Sequence, residues 1–306
     1  MEVAHASCIH PSGEWGGTAP MTIRPDTFAY IRDTLHQRTA IHLMDNKEYL
    51  VETRLSVLAK KNGLRNVDAL VDQLRVPGSS VLWNEIVDAM TTNETSFFRD
   101  VKPFEVLRDK VFPALMEKAQ GTRKLKVWSA ASASGQEAYS IAMLWDEIRR
   151  NHPHWDLDIL ATDISHKMLE RCKNGAYSDL EVIRGLSQRR LADNFHRDGD
   201  RWLVDDRLKE RVDFKYMNLI HAWPSLPKMD VVFIRNVLVY FDHPTKCSLF
   251  AKVRKILKPN GFLFLGGAES PLMIDDKFER VFDCGGSCYR LKSEAPHDRK
   301  NRSSYR

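Results

Sequence analysis

The stretch Leu125 to Tyr139, Leu-Lys-Val-Trp-Ser-Ala-Ala-Ser-Ala-Ser-Gly-Gln-Glu-Ala-Tyr, constrains the fold more than any other part of the chain. Leu125, Val127 and Trp128 favour a strand, small residues follow as far as Gly135, and Tyr139, Ala142, Met143 and Trp145 then recur with a helical period. Strand, small-residue turn and helix, in that order, open an α/β nucleotide-binding unit. The small side chains allow a ligand to lie against the backbone. The turn ends at a helix N-terminus, whose N–H groups have no intrahelical partner. Glu137 stands in the first helical turn. The helix dipole stabilises a carboxylate there, and that carboxylate suits a cationic amino group better than a phosphate. The turn therefore reads as the seat of a cofactor with an amino-acid end, although by itself it is equally compatible with a strand-to-helix turn that holds no ligand.

The same alternation continues. Leu157 to Ala161 is a second apolar strand ending in Thr162-Asp163, and an acid at that strand end is placed to accept hydrogen bonds from ribose hydroxyls. Helical residues follow from Ser165 through Cys172. Val212 to Met217 leads into Asn218-Leu219, and Met229 to Ile234 leads into Arg235-Asn236. After Pro244 a helix carries Leu249, Val253 and Ile256, and Lys258-Pro259-Asn260-Gly261 turns the chain into Phe262 to Leu265. This order predicts a mostly parallel sheet with helices on both faces. Ligands in such sheets bind beyond the carboxyl ends of the strands, which is where Gly135, Asp163, Asn218 and Asn236 all fall. A nicotinamide enzyme is disfavoured: Gly-x-Gly-x-x-Gly is absent, and Gly135 lies further from Asp163 than the ~20 residues of the usual fingerprint. Tyr177 to Arg211 interrupts the alternation with a helical piece, Leu186 to Phe195, and a hairpin signal at Arg197-Asp198-Gly199-Asp200-Arg201, and reads as a small insert at the sheet edge.

Residues ahead of the first strand are helical in pattern. Pro25-Asp26 is a helix start, with Phe28, Ile31 and Leu35 on one face. Lys47 to Lys60, with Leu50, Leu55 and Leu58 inward, stops near Gly63. Val67 to Leu74 and Val81 to Met90 are split by Pro77-Gly78-Ser79-Ser80. The second of these helices has a basic side, Arg54, Lys60, Lys61 and Arg65, which reads as a solvated face or as a docking surface for an acidic partner. Thr91 to Asp100 has no period and crowds hydroxyls, an amide and an arginine around Phe97 and Phe98, after which Lys102 to Lys118 is helical. The expected organisation is a tail at 1–20, a helical domain at 21–90, a linker at 91–104, an α/β domain at 105–290 with its insert at 177–211, and a tail at 291–306.

The 306 residues hold one large and one small domain, and 43% hydrophobic with 28% charged residues suits a globular protein with a packed core. No apolar run approaches the ~20 residues of a membrane span, and the N-terminal residues lack a secretory pattern, so a cytoplasmic location is expected. The cysteines, Cys8, Cys172, Cys247, Cys284 and Cys288, read as reduced thiols; Cys284 and Cys288 have no second pair with which to complete a metal site, so no metal is expected. The net charge of +5 is compatible with an acidic protein partner, and neither a nucleic-acid partner nor membrane insertion is expected.

Four stretches together resemble the CheR family, methyltransferases that esterify chemoreceptor glutamates with S-adenosylmethionine. They are Thr92-Asn93-Glu94-Thr95-Ser96-Phe97-Phe98-Arg99; Val127-Trp128-Ser129-Ala130-Ala131 with Gly135-Gln136-Glu137; Arg235-Asn236-Val237-Leu238-Val239-Tyr240-Phe241; and Lys258-Pro259-Asn260-Gly261-Phe262-Leu263-Phe264-Leu265. The first and third are specific to the family, and the resemblance spans roughly Phe28 to Arg290. It implies a Rossmann-like class I methyltransferase domain with an N-terminal helical bundle and a small inserted antiparallel β-subdomain. It also implies that Asn93, Thr95 and Arg99 lie over the cofactor, that Glu137 takes the methionine amino group and Asp163 the ribose, that Asn218 and Leu219 flank the adenine, and that Arg235 and Asn236 line the pocket floor. Arg99 and Tyr240 match positions important for catalysis. The turn departs from the family pattern at Ser132-Ala133-Ser134, at Gln136 and at Ala138, and keeps Glu137.

The implied reaction gives glutamate 5-O-methyl esters and S-adenosylhomocysteine for chemosensory adaptation. Its partner is the cytoplasmic helical region of a bacterial chemoreceptor, with the basic side of the N-terminal helices as docking candidate. Some family members also hold a receptor peptide on the β-insert by strand addition; the short Arg197–Trp202 hairpin, with its single Gly, points to an enzyme that works without that tether. The rival readings are a methyltransferase of the same fold acting on another nucleophile and a non-catalytic module that binds the cofactor or a receptor helix.

Overall fold

Pro25 at the first helical position and Asp26 beside it start α1 (Pro25–Thr39), which ends where Ala40 turns left-handed at φ 55°. In this computed structural model residues 23–76, 80–281 and 287–293 are described. The Pro77-Gly78-Ser79 break, the proposed tail at 1–20, Cys8 and Cys284 lie outside them. α2 (Glu48–Lys61), α3 (Val67–Leu74) and α4 (Ser80–Met90) complete a bundle. Its core is the predicted apolar faces: Phe28, Ile31 and Leu35 meet Leu55, Leu58, Leu70, Ile86 and Met90. Asn66 caps α3 by accepting a hydrogen bond from Ala69 N.

The helix expected over Lys102 to Lys118 forms, with one irregular turn inside it. α5 (Lys102–Val106) and α6 (Phe112–Lys118) flank a wider turn over Leu107–Val111. Pro113 at the start of α6 has no N–H and crowds the carbonyl one turn back, which widens the preceding turn.

The sheet is built from β1 (Lys124–Ala130), β2 (Asp156–Asp163), β6 (Val212–Tyr216), β7 (Met229–Ile234), β8 (Leu257–Leu265), β9 (Phe278–Arg280) and β10 (Cys288–Leu291) in the order β6-β2-β1-β7-β8-β10-β9. The first five run parallel, and β10 and β9 close one edge antiparallel. α7 (Gln136–Arg149) and α12 (His243–Ile256) belong to cores on opposite faces: Val127 packs on the α7 side with Trp145, and Trp128 on the α12 side with Phe250. Alternate side chains of one strand serve two cores, as a sheet covered on both faces requires. The chain steps outward from β1 through β2 to β6 and then returns to β7 on the other side of β1, so the switch point lies between β1 and β7.

The turn expected at Lys258–Gly261 is an excursion within β8. Met229 pairs with Leu257 and Val231 with Phe262, so the intervening residues bulge out of the ladder. A Cβ at Gly261 would meet the Leu257 side chain at 2.8 Å and Asp230 O at 3.0 Å.

The insert follows α8 (His166–Asn174). It contains β3 (Ala176–Tyr177), α9 (Asp179–Ile183), α10 (Gln188–Asn194), the hairpin β4 (Phe195–Asp198) and β5 (Arg201–Val204), and α11 (Asp206–Lys209). Its antiparallel sheet has the order β3-β5-β4. The insert buttresses the linker: Phe97 packs edge-on against Tyr177 and Phe195, with ring centroids 5.0 and 5.5 Å away. A Cβ at Gly185 would fall 1.9 Å from Phe97 O, so only glycine admits this approach.

Candidate active site

The carboxyl ends of β1, β2, β6 and β7 open into a cavity of about 240 Å³, whose far wall comes from the linker and from the N-terminal bundle. Asn93, Thr95, Arg99, Glu137, Asp163, Asn218, Leu219, Arg235, Asn236 and Tyr240 all line it. Ten positions spread over nearly 150 residues of sequence thus meet on one surface, and each has a distinct local reason to be there.

The turn after β1 holds Ala131 and Ala133 at positive φ, 55° and 48°, and Gly135 at 91°. These left-handed residues bend the backbone sharply into α7, and the small side chains leave the cavity wall low. Tyr177 Oη of the insert anchors the turn by donating to Ser134 O at 2.6 Å. Gln136 is buried in the turn and accepts from Ser134 Oγ at 2.8 Å.

Glu137 is held from two sides. Ser129 Oγ donates to its Oε1 at 2.8 Å, and Arg235 Nη1 to its Oε2 at 3.0 Å. The Arg235 side chain is 2% exposed, and its Nη2 donates to Arg99 O at 3.0 Å and to Asp100 Oδ2 at 2.6 Å. One guanidinium therefore ties the end of β7 to the first turn of α7 and to the linker. Its charge is compensated by two carboxylates, which a buried cation requires.

Asp163 is buried at the end of β2, where its Oδ2 accepts from Ala133 N and its Oδ1 from Ser165 N, both at 2.8 Å. Burial pushes its pKa up to about 6 against the opposing pull of those backbone N–H groups, and the nearby Asp88 charge pushes in the same direction.

Asn218 does a job that its sequence position did not announce. Its Nδ2 donates to Arg38 O at 2.7 Å and its Oδ1 accepts from Ile220 N, so it fastens the end of α1 to the sheet. Leu219 stands beside it, and Lys252 Nζ donates to the Leu219 carbonyl. On the linker, Arg99 Nη1 donates to Glu94 O at 2.7 Å and Asn93 Nδ2 to Thr91 Oγ1 at 3.2 Å. Asn236 adopts φ 57° immediately after β7, and Tyr240 closes a 3-10 turn (Leu238–Tyr240) whose last carbonyl accepts from His42 N at 3.2 Å.

Arg54 does not share a free face with the other basic residues of α2. It lines the cavity, donating to Met90 O at 2.6 Å and to Thr92 Oγ1 at 3.2 Å, whereas Lys60, Lys61 and Arg65 are exposed and Lys61 pairs with Glu85.

Four polar residues that sequence reasoning passed over shape the site: Ser129, Asp100, His42 and Glu269. For Glu269 the available signal was an acid just beyond a buried strand, behind Gly266-Gly267.

In chemical terms the cavity offers the carboxylates of Glu94, Glu137 and Asp163, a low wall of small residues, apolar contacts from Met217 and Leu219, the Tyr240 phenol and the Arg99 guanidinium, with Lys47 and Arg54 on the side of the N-terminal bundle. That donor set fits a cationic, amino-acid-bearing nucleoside. Comparison with known proteins agrees. A model of the CheR methyltransferase SAM-binding domain matches residues 93–284, and one of the CheR methyltransferase all-alpha domain matches residues 26–91. Chemotaxis protein methyltransferase Cher2 of Pseudomonas putida is 41% identical over 269 residues, covering 87% of this chain and 98% of that protein. Chemotaxis protein methyltransferase 1 of Pseudomonas aeruginosa is 40% identical, covering 87% and 97%, and the chemotaxis protein methyltransferase of Vibrio parahaemolyticus is 41% identical, covering 89% and 99%. The chain belongs to the CheR methyltransferase family, with that family's S-adenosylmethionine-binding domain joined to its all-α domain.

Proposed function

We propose that the protein transfers the methyl group of S-adenosylmethionine to glutamate side chains in the helical cytoplasmic region of chemoreceptors. The observation that carries this reading is the meeting of Glu137, Asp163, Arg99 and Tyr240 in one cavity between the two domains. Bound S-adenosylmethionine supplies an electrophilic methyl on a sulfonium; a carboxylate oxygen attacks it in line, the C–S bond breaks towards sulfur, and a methyl ester and S-adenosylhomocysteine result. The chain need provide no base, because a glutamate with a pKa of ~4.3 is ionised at neutral pH. Its work is alignment. Glu137 receives the methionine ammonium, Asp163 the ribose hydroxyls, and Leu219 packs along the adenine. Asn93 and Thr95 cover the cofactor from the linker. Arg99 holds the incoming carboxylate by charge-assisted hydrogen bonds, and the Tyr240 hydroxyl orients the attacking oxygen. The acceptor helix docks on the exposed cations Lys60, Lys61 and Arg65, with Arg54 further in, at the cavity wall.

The test is incubation with methyl-labelled S-adenosylmethionine and receptor-containing membranes at low and high salt. Label released by mild alkali indicates an ester, stable label an N-methyl product, and no label a binding module. A KM for receptor that rises with salt marks charged docking.

Tyr240→Phe is expected to lower kcat roughly 10–100-fold, the size of one hydrogen bond made at the reacting oxygen, while leaving cofactor affinity within about threefold. Unchanged turnover would remove Tyr240 from the mechanism.

Asp163 makes cofactor affinity depend on pH. Above about 6 it is ionised and presents only acceptors; below about 6 it takes up a proton and one acceptor becomes a donor. If the ionised form alone binds, affinity is full at pH 7.5 and falls about tenfold by pH 5. Calorimetric titration across that range checks this, with Asp163→Asn expected to lose the component; a profile identical in both proteins would rule Asp163 out.

A further inference from the structure

The turn that carries Arg235, Asn236 and Tyr240 satisfies Tyr240 N and Phe241 N within its own 3-10 turn, but not the N–H groups of Asn236 and Leu238. Asn236 is left-handed at φ 57°, so its N–H leaves the β7 ladder, and Leu238 N begins a 3-10 turn with no preceding carbonyl to donate to. Both are met by one side chain. Glu269 Oε2 accepts from Asn236 N at 2.8 Å and its Oε1 from Leu238 N at 2.8 Å; Oε2 also accepts from Gly266 N, at the end of β8, at 2.7 Å. The residue is 6% exposed. It therefore joins the carboxyl ends of two adjacent parallel strands, and it caps the turn that ends in Tyr240.

Two features mark this as a fitted arrangement. Only a carboxylate accepts at both oxygens; an amide of the same shape would turn an NH2 towards an N–H that already donates. The strand end also has no room for a side chain: a Cβ at Gly266 would fall 2.7 Å from Glu269 Oε2, 2.8 Å from Asn236 Nδ2 and 3.0 Å from Asn236 N.

We infer that Glu269 is a positioning residue for methyl transfer, which sets the Asn236–Tyr240 turn so that the phenol meets the acceptor carboxylate. This rests on the function proposed above. A displacement of about 1 Å at a reacting group can cost on the order of 10²-fold in rate, whereas Glu137 and Asp163, which would carry cofactor affinity, are anchored by other contacts.

The experiment measures receptor methyl-ester formation and S-adenosylmethionine affinity in the full chain for wild type, Glu269→Gln, Tyr240→Phe and the double variant. Glu269→Gln is expected to lower kcat at least tenfold, with affinity within about threefold of wild type, and to cost less than twofold more once Tyr240 is already Phe. A kcat within twofold of wild type, or losses that multiply in the double variant, would overturn the inference, since a residue that merely stabilised the fold would act independently of the phenol. If Glu269→Gln does not fold, Gly266→Ala perturbs the same contacts and is read by the same two criteria. A wild type that forms no ester sinks the underlying reading instead.

Discussion

Replacing Arg235 with Met is expected to lower Tm by roughly 6–20 °C and to remove cofactor binding with it. The reason is the company that the guanidinium keeps. It is 2% exposed and donates to Glu137, to Asp100 and to the Arg99 carbonyl. Asp100, half exposed, can turn to water once the cation is gone, but the Glu137 side chain is only 12% exposed and has just Ser129 Oγ left. Removing one partner of a buried ion pair costs about 3–5 kcal/mol, because the other charge is left uncompensated, and each kcal/mol is worth roughly 2–4 °C in a domain of this size. A double-mutant cycle separates this cause from lost packing over Phe104, whose ring centroid lies 5.6 Å from the guanidinium carbon. If the stranded carboxylate is what destabilises, adding Glu137→Gln should restore stability to the Arg235→Met protein, although the same change alone destabilises the wild type. A Tm within ~2 °C of wild type for Arg235→Met would show that the three-way tie bears little of the fold's stability.

Arg235 also illustrates where sequence reading stops. Its place after an apolar strand end is legible, because Val231 to Ile234 of β7 is an unbroken apolar run that only a sheet buried on both faces accommodates. The same holds for β1, the turn and α7, where the hydrophobic period changes at Gly135 from strand to helix. The partners of Arg235 were not legible: Glu137 lies 98 residues away and Asp100 135 away, and no local pattern encodes such a pairing. Asn218 is legible as a strand-end residue and does line the cavity, but the bond of its amide to the last turn of α1 is not. Arg54 was read with three basic neighbours on a helix of period 3.6, yet the packing of α2 against α4 turns it towards the linker. Short elements escaped for a different reason. α9 has five residues and β9 three, too few for a period to emerge; α9 is started by a capping box between Ser178 and Glu181, and β9 is held by pairing with β10. The Lys258–Gly261 segment did carry turn residues, but the ladder resumes in the same strand beyond it, so turn chemistry marked a bulge and not an end.

Glu137→Gln is expected to raise the dissociation constant for S-adenosylmethionine roughly 10–100-fold, with a smaller change in kcat at saturation. A hydrogen bond between a carboxylate and an ammonium is worth about 1.5–3 kcal/mol, which is one to two decades in affinity. The methionine ammonium is remote from the attacking oxygen, so the contact is made equally in the ground and transition states and its loss appears in KM. The substitution has a second consequence. An amide can accept from Ser129 Oγ or from Arg235 Nη1 but not from both with one oxygen, so Arg235 is loosened too. Adenosine separates the two effects, because it has the ribose and base but no ammonium. If Glu137 acts on the ammonium, adenosine binds wild type and Glu137→Gln alike while S-adenosylmethionine and S-adenosylhomocysteine both lose affinity. Equal losses for all three ligands would mean that the variant harms the cavity through Arg235 and the linker, and equal S-adenosylmethionine affinity in both proteins would place the amino-acid end of the cofactor elsewhere. The first pattern is the one that the geometry favours: of the three carboxylates that line the cavity, Glu94 is largely exposed and pairs with Arg184, Asp163 is buried at the end of β2, and Glu137 keeps part of its side chain open at the first turn of α7.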